Sequence, residues 1–256
     1  MKQIPAFMLS TCLAILSSVP GFADTLTLKA DFWMPYNGDG KTDTGYMLDI
    51  AKAIFESKGH KIVYVVTPWE HSLAEVRSGK CNAVIGAGRD DAPDLVYPEE
   101  EQGISVQMFC VKTGNSWKYS GAASLKTLKL GVIKDYTYFS AVDDYIKASP
   151  AGVVFGTGEN PLQSNMTRLV QGEVGAVVDD RSVLKYTIAK MNLQGKVLIA
   201  PSSAETAVPS NLYIAFSPKN PKSHEYAKVL AEGMVALRKS GELQKILAKY
   251  GLSDWK

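Results

Sequence analysis

Trp69-Glu70-His71-Ser72-Leu73-Ala74-Glu75-Val76-Arg77-Ser78-Gly79-Lys80-Cys81-Asn82-Ala83-Val84-Ile85-Gly86 changes character at Gly79. Glu70–Ser78 reads as a helix that Gly79 stops. Asn82–Gly86 is short and apolar, as a buried strand is. The same succession returns downstream: a helix over Pro161–Gln171, a stop at Gly172 and a strand over Val174–Val178. Helix, glycine and strand occurring twice imply two α/β halves of like construction.

The elements on either side extend both halves. In the first, a strand over Leu26–Ala30 precedes a helix over Gly45–Lys58. Met47, Ile50, Ala51, Ile54 and Phe55 recur there at helical spacing, and Gly59 ends it. Strands follow over Lys61–Val66 and Val106–Lys112. The second half opens with a strand over Leu128–Ile133, a helix over Tyr138–Ala148 and a strand over Gly152–Phe155. It closes with a helix over Arg181–Met191 and a strand over Lys196–Ala200. A further strand, Asn211–Ser217, leads to a helical tail with Tyr226, Leu230, Met234 and Leu237 on one face, and Gly241 divides off a last helix. The polar stretch Thr113–Ser116 is the expected first crossing between halves. The expected partition is 24–112 with 212–256 in one lobe and 113–211 in the other.

Residues 1–23 read as a cleaved secretory signal. Lys2 supplies the positive start, Ala6–Leu16 the apolar run, and Gly21 and Ala23 the small residues before Asp24. The run is too short to span a bilayer, and no later segment is long and apolar enough. The expectation is an exported protein of the periplasm. Lys2 is the only charged residue in the signal, so its removal lowers the formal charge from +2 to +1. Such a chain presents no electrostatic case for nucleic acid. The scattered His60, His71 and His224 suggest no metal, and no cofactor motif is present. Cys81 and Cys110 remain after cleavage. An even count in an oxidising compartment favours a disulfide between them.

Several stretches together resemble bacterial solute-binding proteins of family 3, which serve polar amino acid ABC importers. They are Trp33-Met34-Pro35-Tyr36, Gly45-Tyr46-Met47-Leu48-Asp49-Ile50-Ala51, and Trp69 with Leu73 and Ser78–Ala83. Gly172–Asp180 and the tail Leu237–Ile246 through Tyr250-Gly251 complete the set. The resemblance implies a periplasmic-binding-protein-like α/β fold of type II, with two lobes joined by two crossing strands. It also implies a monomer that closes on a small polar ligand and presents the closed form to an ABC permease.

The resemblance further implies aromatic residues at Tyr36 and Trp69 against the ligand, with Trp33 beside them. An acid after the strand Val174–Val178 accepts the ligand's ammonium, and Asp180 is the preferred candidate over Asp179. The alternative use of both acids is to cap the helix beginning near Arg181. Tyr136 and Thr137, after the second half's first strand, offer backbone N–H groups and a hydroxyl to an anion. The sequence departs from the family at Gly86-Ala87-Gly88-Arg89-Asp90-Asp91-Ala92-Pro93-Asp94, where a carboxylate-clamping arginine is usual further on. Two readings of Arg89 stand: it reaches that carboxylate from an earlier position, or it is a loop charge and the ligand lacks a carboxylate. Glu99, Glu100 and Glu101 form an acidic run that borders the cleft in the family. An enzyme resembling cyclohexadienyl dehydratase is the rival function, and a sensory module a third. The missing clamp argues against the enzyme, which needs carboxylate recognition and a positioned acid.

Overall fold

The computed structural model describes residues 23–156, 160–201 and 208–256. All but the last residue of the expected signal lies outside them. In chain order the elements are β1 (Thr25–Ala30), α1 (Tyr46–Glu56), β2 (Lys61–Val66), α2 (Trp69–Ser78), β3 (Ala83–Ala87), β4 (Gly103–Ser105), β5 (Gln107–Lys112) and α3 (Ala122–Leu125). Next come β6 (Leu130–Ile133), α4 (Ser140–Ala148), β7 (Val153–Gly156), α5 (Pro161–Gln171), β8 (Ala176–Asp180), α6 (Arg181–Lys190) and β9 (Val197–Ile199). β10 (Ser210–Phe216), α7 (Ser223–Ser240) and α8 (Glu242–Ala248) finish the chain.

The strands form two sheets of the same plan. One runs β2-β1-β3-β10-β4 and the other β7-β6-β8-β5-β9. In each, three strands pair in parallel through helical crossovers. The fourth strand is antiparallel and comes from a distant part of the chain: β10 in the first sheet and β5 in the second. The two-lobed α/β architecture expected from the sequence is therefore present.

The helix stops are built from left-handed glycines. Gly79 ends α2 at φ 80° and Gly172 ends α5 at φ 84°, each returning its N–H to carbonyls of the last turn. A side chain at either φ is strained, which is why glycine marks both ends. Helix α1 buries Met47, Leu48, Ile50, Ala51, Ile54 and Phe55 against the first sheet and α7. In the second sheet Leu130, Val132, Ala176 and Val178 are wholly buried beneath α3 and α4.

Two expectations are corrected. The strand over 106–112 does not belong with the first lobe. β5 pairs Gln107 with Asp180 and Phe109 with Val178 in the second sheet, so the chain crosses at Ser105–Gln107, not at Thr113–Ser116. The pairing partner lies far along the sequence, where local pattern cannot indicate it. The same strand overturns the disulfide, because it carries Cys110 into the second sheet. Cys81 packs with Val76 and Val84 beside the first sheet, and both cysteines are free and buried. Burial pushes the Cys81 thiol up to about 11 and the Cys110 thiol up to about 12. Neither is a reactive thiolate at neutral pH.

The mature native protein is therefore expected to resist an aromatic disulfide reagent at both cysteines. Both react after denaturation in guanidinium without reductant. Absence of reactive thiols in the denatured, unreduced chain would restore the bridge.

Candidate functional site

Strand ends and helix starts of both sheets meet at a seam between the lobes. From the first lobe, β1 delivers the loop Asp31–Asn37. Its turn is closed by Trp33 N–H donating to Asn37 O at 2.8 Å and Tyr36 N–H donating to Trp33 O at 2.9 Å. Trp33 stacks on Tyr36 with ring centres 4.3 Å apart. Tyr36 is buried and donates its hydroxyl to Ile104 O at 2.7 Å. From the second lobe, β8 ends in Asp179 and Asp180, both buried.

The two acids do different work. Asp180 Oδ1 accepts from the N–H groups of Ser182 and Val183, capping α6. Its Oδ2 accepts from Val106 N–H at 2.8 Å and Ser105 Oγ–H at 3.1 Å, on the crossing segment. Of the readings open for Asp180, its side chain thus takes the capping one, although it also lines a cavity of about 210 Å³ with Tyr36, Tyr46 and Trp255.

Asp179 faces the seam instead. Its Oδ1 accepts from Trp33 Nε1–H at 3.0 Å across the lobes. Its Oδ2 is buried with no hydrogen-bond partner. An unpaired buried acceptor costs about 1–3 kcal/mol, which a ligand donor would offset. A second bond spans the seam nearby, from the Tyr136 hydroxyl to Asp31 Oδ2. Burial pushes the Asp179 carboxyl up to about 7, and the charges of Asp180 and Asp31 add to the shift. Burial likewise pushes Asp31 up to about 6, against the bond from Tyr136. Further along, Tyr186 Oη–H donates to Asp43 Oδ2 at 3.3 Å, and Lys190 Nζ lies 3.5 Å from the same carboxylate.

The remaining sequence candidates are scattered. Trp69 opens α2 but packs, half-buried, against the cluster of Val76, Cys81 and Val84. Arg89 is clasped between two rings, 4.9 Å from the centre of Tyr97 and 4.8 Å from that of Tyr213, and donates to Pro98 O at 2.9 Å. Thr137 and Arg89 line a larger inter-lobe cavity of about 610 Å³, together with Asp91 and Gln107. Burial raises the Asp91 carboxyl, and the Thr137 hydroxyl opposes that shift. The backbone beside Thr137 is already engaged: Tyr138 N–H donates to Asp143 Oδ1, which delays the start of α4 to Ser140. Tyr136 and Trp33 share the wall of a small cavity of about 30 Å³ with Lys190.

Asp31, Asn37 and Asp91 escaped the sequence reading. Asp31 carried one signal, an acid directly after an apolar strand. Asn37 is wholly buried and donates from Nδ2 to Asp31 O at 2.5 Å, while its Oδ1 has no partner. The acidic run is engaged by the C-terminal residues. Glu101 accepts from Trp255 Nε1–H at 2.7 Å, and Lys256 Nζ lies 2.6 Å from Glu100 and 3.0 Å from Glu101. No group of His, Cys, Asp and Glu able to hold a metal occurs among the described residues.

The family described as bacterial extracellular solute-binding proteins, family 3, matches residues 29–253. Comparison with curated proteins finds no match. Among solved structures, the chain is similar to the arginine-, lysine-, histidine-binding protein ArtJ from Geobacillus stearothermophilus. The TM-score is 0.74 at 18% identity, over 90% of this chain and 97% of that one. It is also similar to a histidine kinase sensor domain with similarity to periplasmic binding proteins, with TM-score 0.72, 17% identity, and 88% and 95% coverage. A third is the ancestral amino acid-binding protein AncCDT-1, a precursor of cyclohexadienyl dehydratase, with TM-score 0.67, 20% identity, and 88% and 95% coverage. At these identities the likeness concerns the fold.

The raised carboxyls fix a pH response. A carboxyl whose pKa is higher in the folded, closed seam than in water takes up a proton on forming it. The stabilisation is full below the ordinary aspartate value of about 3.9 and is lost as pH rises through the folded value. For Asp31 and Asp179 those values are about 6 and about 7. The contribution of Asp31 and Asp179 to the thermal stability of the ligand-free protein is thus expected to fall between about pH 4 and about pH 7 and to level off above. Asp179→Asn keeps an acceptor for Trp33 but has no proton to lose, so its Tm profile over that range is flatter. Parallel profiles for parent and variant would remove Asp179 as a titrating group.

Proposed function

Because the chain belongs to the bacterial extracellular solute-binding proteins of family 3, we propose that it captures a small polar ligand between its lobes, in the periplasm, and delivers it to an ABC importer. It performs no chemistry on that ligand. The observation that carries this reading is the make-up of the seam. Trp33 meets Asp179 and Tyr136 meets Asp31 through single polar bonds between lobes that two crossing segments join. Such bonds exchange for bonds to a guest as a hinge opens and closes. Closure then removes water and strengthens each polar contact.

In this reading Trp33 and Tyr136 are the aromatic and hydroxyl partners of the ligand, and Asp179 takes the role first sought in Asp180. Tyr36 supports Trp33 from behind by stacking. Thr137 and Arg89 border the wider cavity. The likeness to a sensor domain favours one other downstream use, in which the closed form is read by a receptor. The binding step is common to both.

A thermal-shift screen of amino acids, amines and small organic acids tests the reading. A ligand at a hundred times its dissociation constant stabilises by about 2.7 kcal/mol, a shift of several degrees. Trp33→Ala and Asp179→Asn are expected to abolish the shift while circular dichroism stays native. Unimpaired binding in both variants would remove the seam as the site. Turnover of a prephenate-like acid would replace a binding protein with an enzyme. Co-purification with a membrane permease, against a receptor, separates import from sensing.

A further inference from the structure

A second space between the lobes lies on the opposite face of the crossing segment. Along Ile104–Gln107 the side chains alternate, as in any extended chain. Ser105 and Gln107 line the larger inter-lobe cavity, whereas Ile104 and Val106 line the cavity of about 210 Å³. The two cavities have no lining residue in common. The rear one is closed on the first-lobe side by Tyr46 of α1 and by Leu252 and Trp255 of the chain end. On the second-lobe side Arg181, at the start of α6, closes it. At about 210 Å³ it falls below the roughly 300–1,000 Å³ of sites for drug-sized ligands, so its guest is small.

The polar groups of this wall divide into engaged and free. A carboxylate has about four lone-pair sites, and four donors already meet those of Asp180. The Tyr36 hydroxyl donates to Ile104 O and the Trp255 indole to Glu101. Two strong donors remain. Arg181 is exposed at the rim, and among the described residues its guanidinium has no hydrogen bond or ion pair. Tyr46 is only 2% exposed, yet among the described residues its hydroxyl has no hydrogen-bond partner. Gly103 lets that hydroxyl lie against β4, where any Cβ would collide with it. A buried hydroxyl left unpaired is costly, and an acceptor on a guest offsets the cost. Around these donors the surface is apolar: Ile104, Val106, Leu252 and the rings of Tyr46 and Trp255, whose centres lie 6.4 Å apart. A cation would meet Arg181 and find no free lone pair on Asp180. A carboxylate matches the fork of a guanidinium.

We infer that this rear cavity is a second binding site, for a small monocarboxylate with an aromatic or branched aliphatic body. Arg181 and the Tyr46 hydroxyl take the carboxylate, and Leu252 and Trp255 cover the body. Arg181 belongs to one lobe and Tyr46 and Trp255 to the other, so the guest touches both. The site goes beyond the capture of a solute at the seam and does not depend on it.

Acids and their neutral amides make the test. Benzoate against benzamide and isobutyrate against isobutyramide are titrated calorimetrically into the mature full-length protein. At least one acid is expected to bind about tenfold tighter than its amide or better, because the amide brings no charge to the guanidinium. Arg181→Gln is expected to weaken that acid by about tenfold or more, and Tyr46→Phe by about threefold, with circular dichroism native in both. Arg89→Gln, in the cavity on the other face of the crossing segment, is expected to leave the acid's affinity unchanged. The inference is overturned if neither acid binds, if the amides bind as tightly, or if Arg181→Gln and Tyr46→Phe bind as the parent does. Loss of the acid in Arg89→Gln overturns it too, since the guest then sits in the larger cavity. So does inorganic phosphate binding as tightly as the acids, which leaves the apolar wall without a part. None of these outcomes bears on the seam, which Trp33→Ala and Asp179→Asn test separately.

Discussion

Four donors converge on the carboxylate of Asp180 at the place where the chain passes from one sheet to the other. Ser182 and Val183 give their N–H groups from the first turn of α6, and from the crossing segment Val106 gives its N–H and Ser105 its hydroxyl. Hydrogen bonds to a charged acceptor are among the stronger in proteins. Here they fix the start of a helix to the strand entering the second sheet. Side chains alternate along a strand, so committing Asp180 to one face turns Asp179 to the other. The residue left free for the seam is thus chosen by what holds the hinge together.

The electrostatics of the seam follow from that choice. Two carboxyls, Asp31 and Asp179, lie in buried surroundings at the seam, and their donors include the Tyr136 phenol, the Trp33 indole and the Asp180 N–H. None of these donors carries charge. The closed, ligand-free arrangement therefore favours protonated acids, whereas a cation between them would permit both to ionise. In the binding reading proposed above, closure is then coupled to whatever brings positive charge, a proton or a guest. A ligand shifts such an equilibrium only through its different affinity for the open and closed forms. The unpaired Asp179 oxygen is one contact available for that difference.

Much of this was legible in the sequence because its causes are local. The repeated helix, glycine and strand gave two α/β halves, since left-handed stops and apolar runs are set by neighbouring residues. What failed depended on distant partners. The strand carrying Cys110 looked continuous with the first half, yet its register is with Asp180 and Val178. The cysteine parity argument fell with it. The choice between Asp179 and Asp180 is a one-residue register question at a strand end, where both are buried and acidic and only the donors around them differ. Arg89 was undecidable for the same reason. Tyr97 and Tyr213, which clasp it, lie on separate segments brought together where Val96 bridges to Phe216 of β10.

The acidic run Glu99–Glu101 shows how the fold sorts its carboxylates. It lies just before β4, close in sequence to the crossing, and the family resemblance implied that it borders the cleft, where one of its acids could meet a cationic ligand. Glu101 is buried too, and burial works to raise it. Yet the bonds from Trp255 and Lys256 outweigh that and hold it below the ordinary range. Arg238, 3.4 Å from Glu100 and 2.8 Å from Asp254, secures the same corner. Every one of these cations comes from α7 or the chain end, within the protein. Among the described residues, the hydrogen-bond donors to Asp179 are the Trp33 indole and the Asp180 N–H, neither of them charged. Two acids of one chain thus shift in opposite directions: Glu101, less deeply buried and paired with Lys256, is held low, and Asp179, deeply buried with an indole and an N–H as donors, is pushed up.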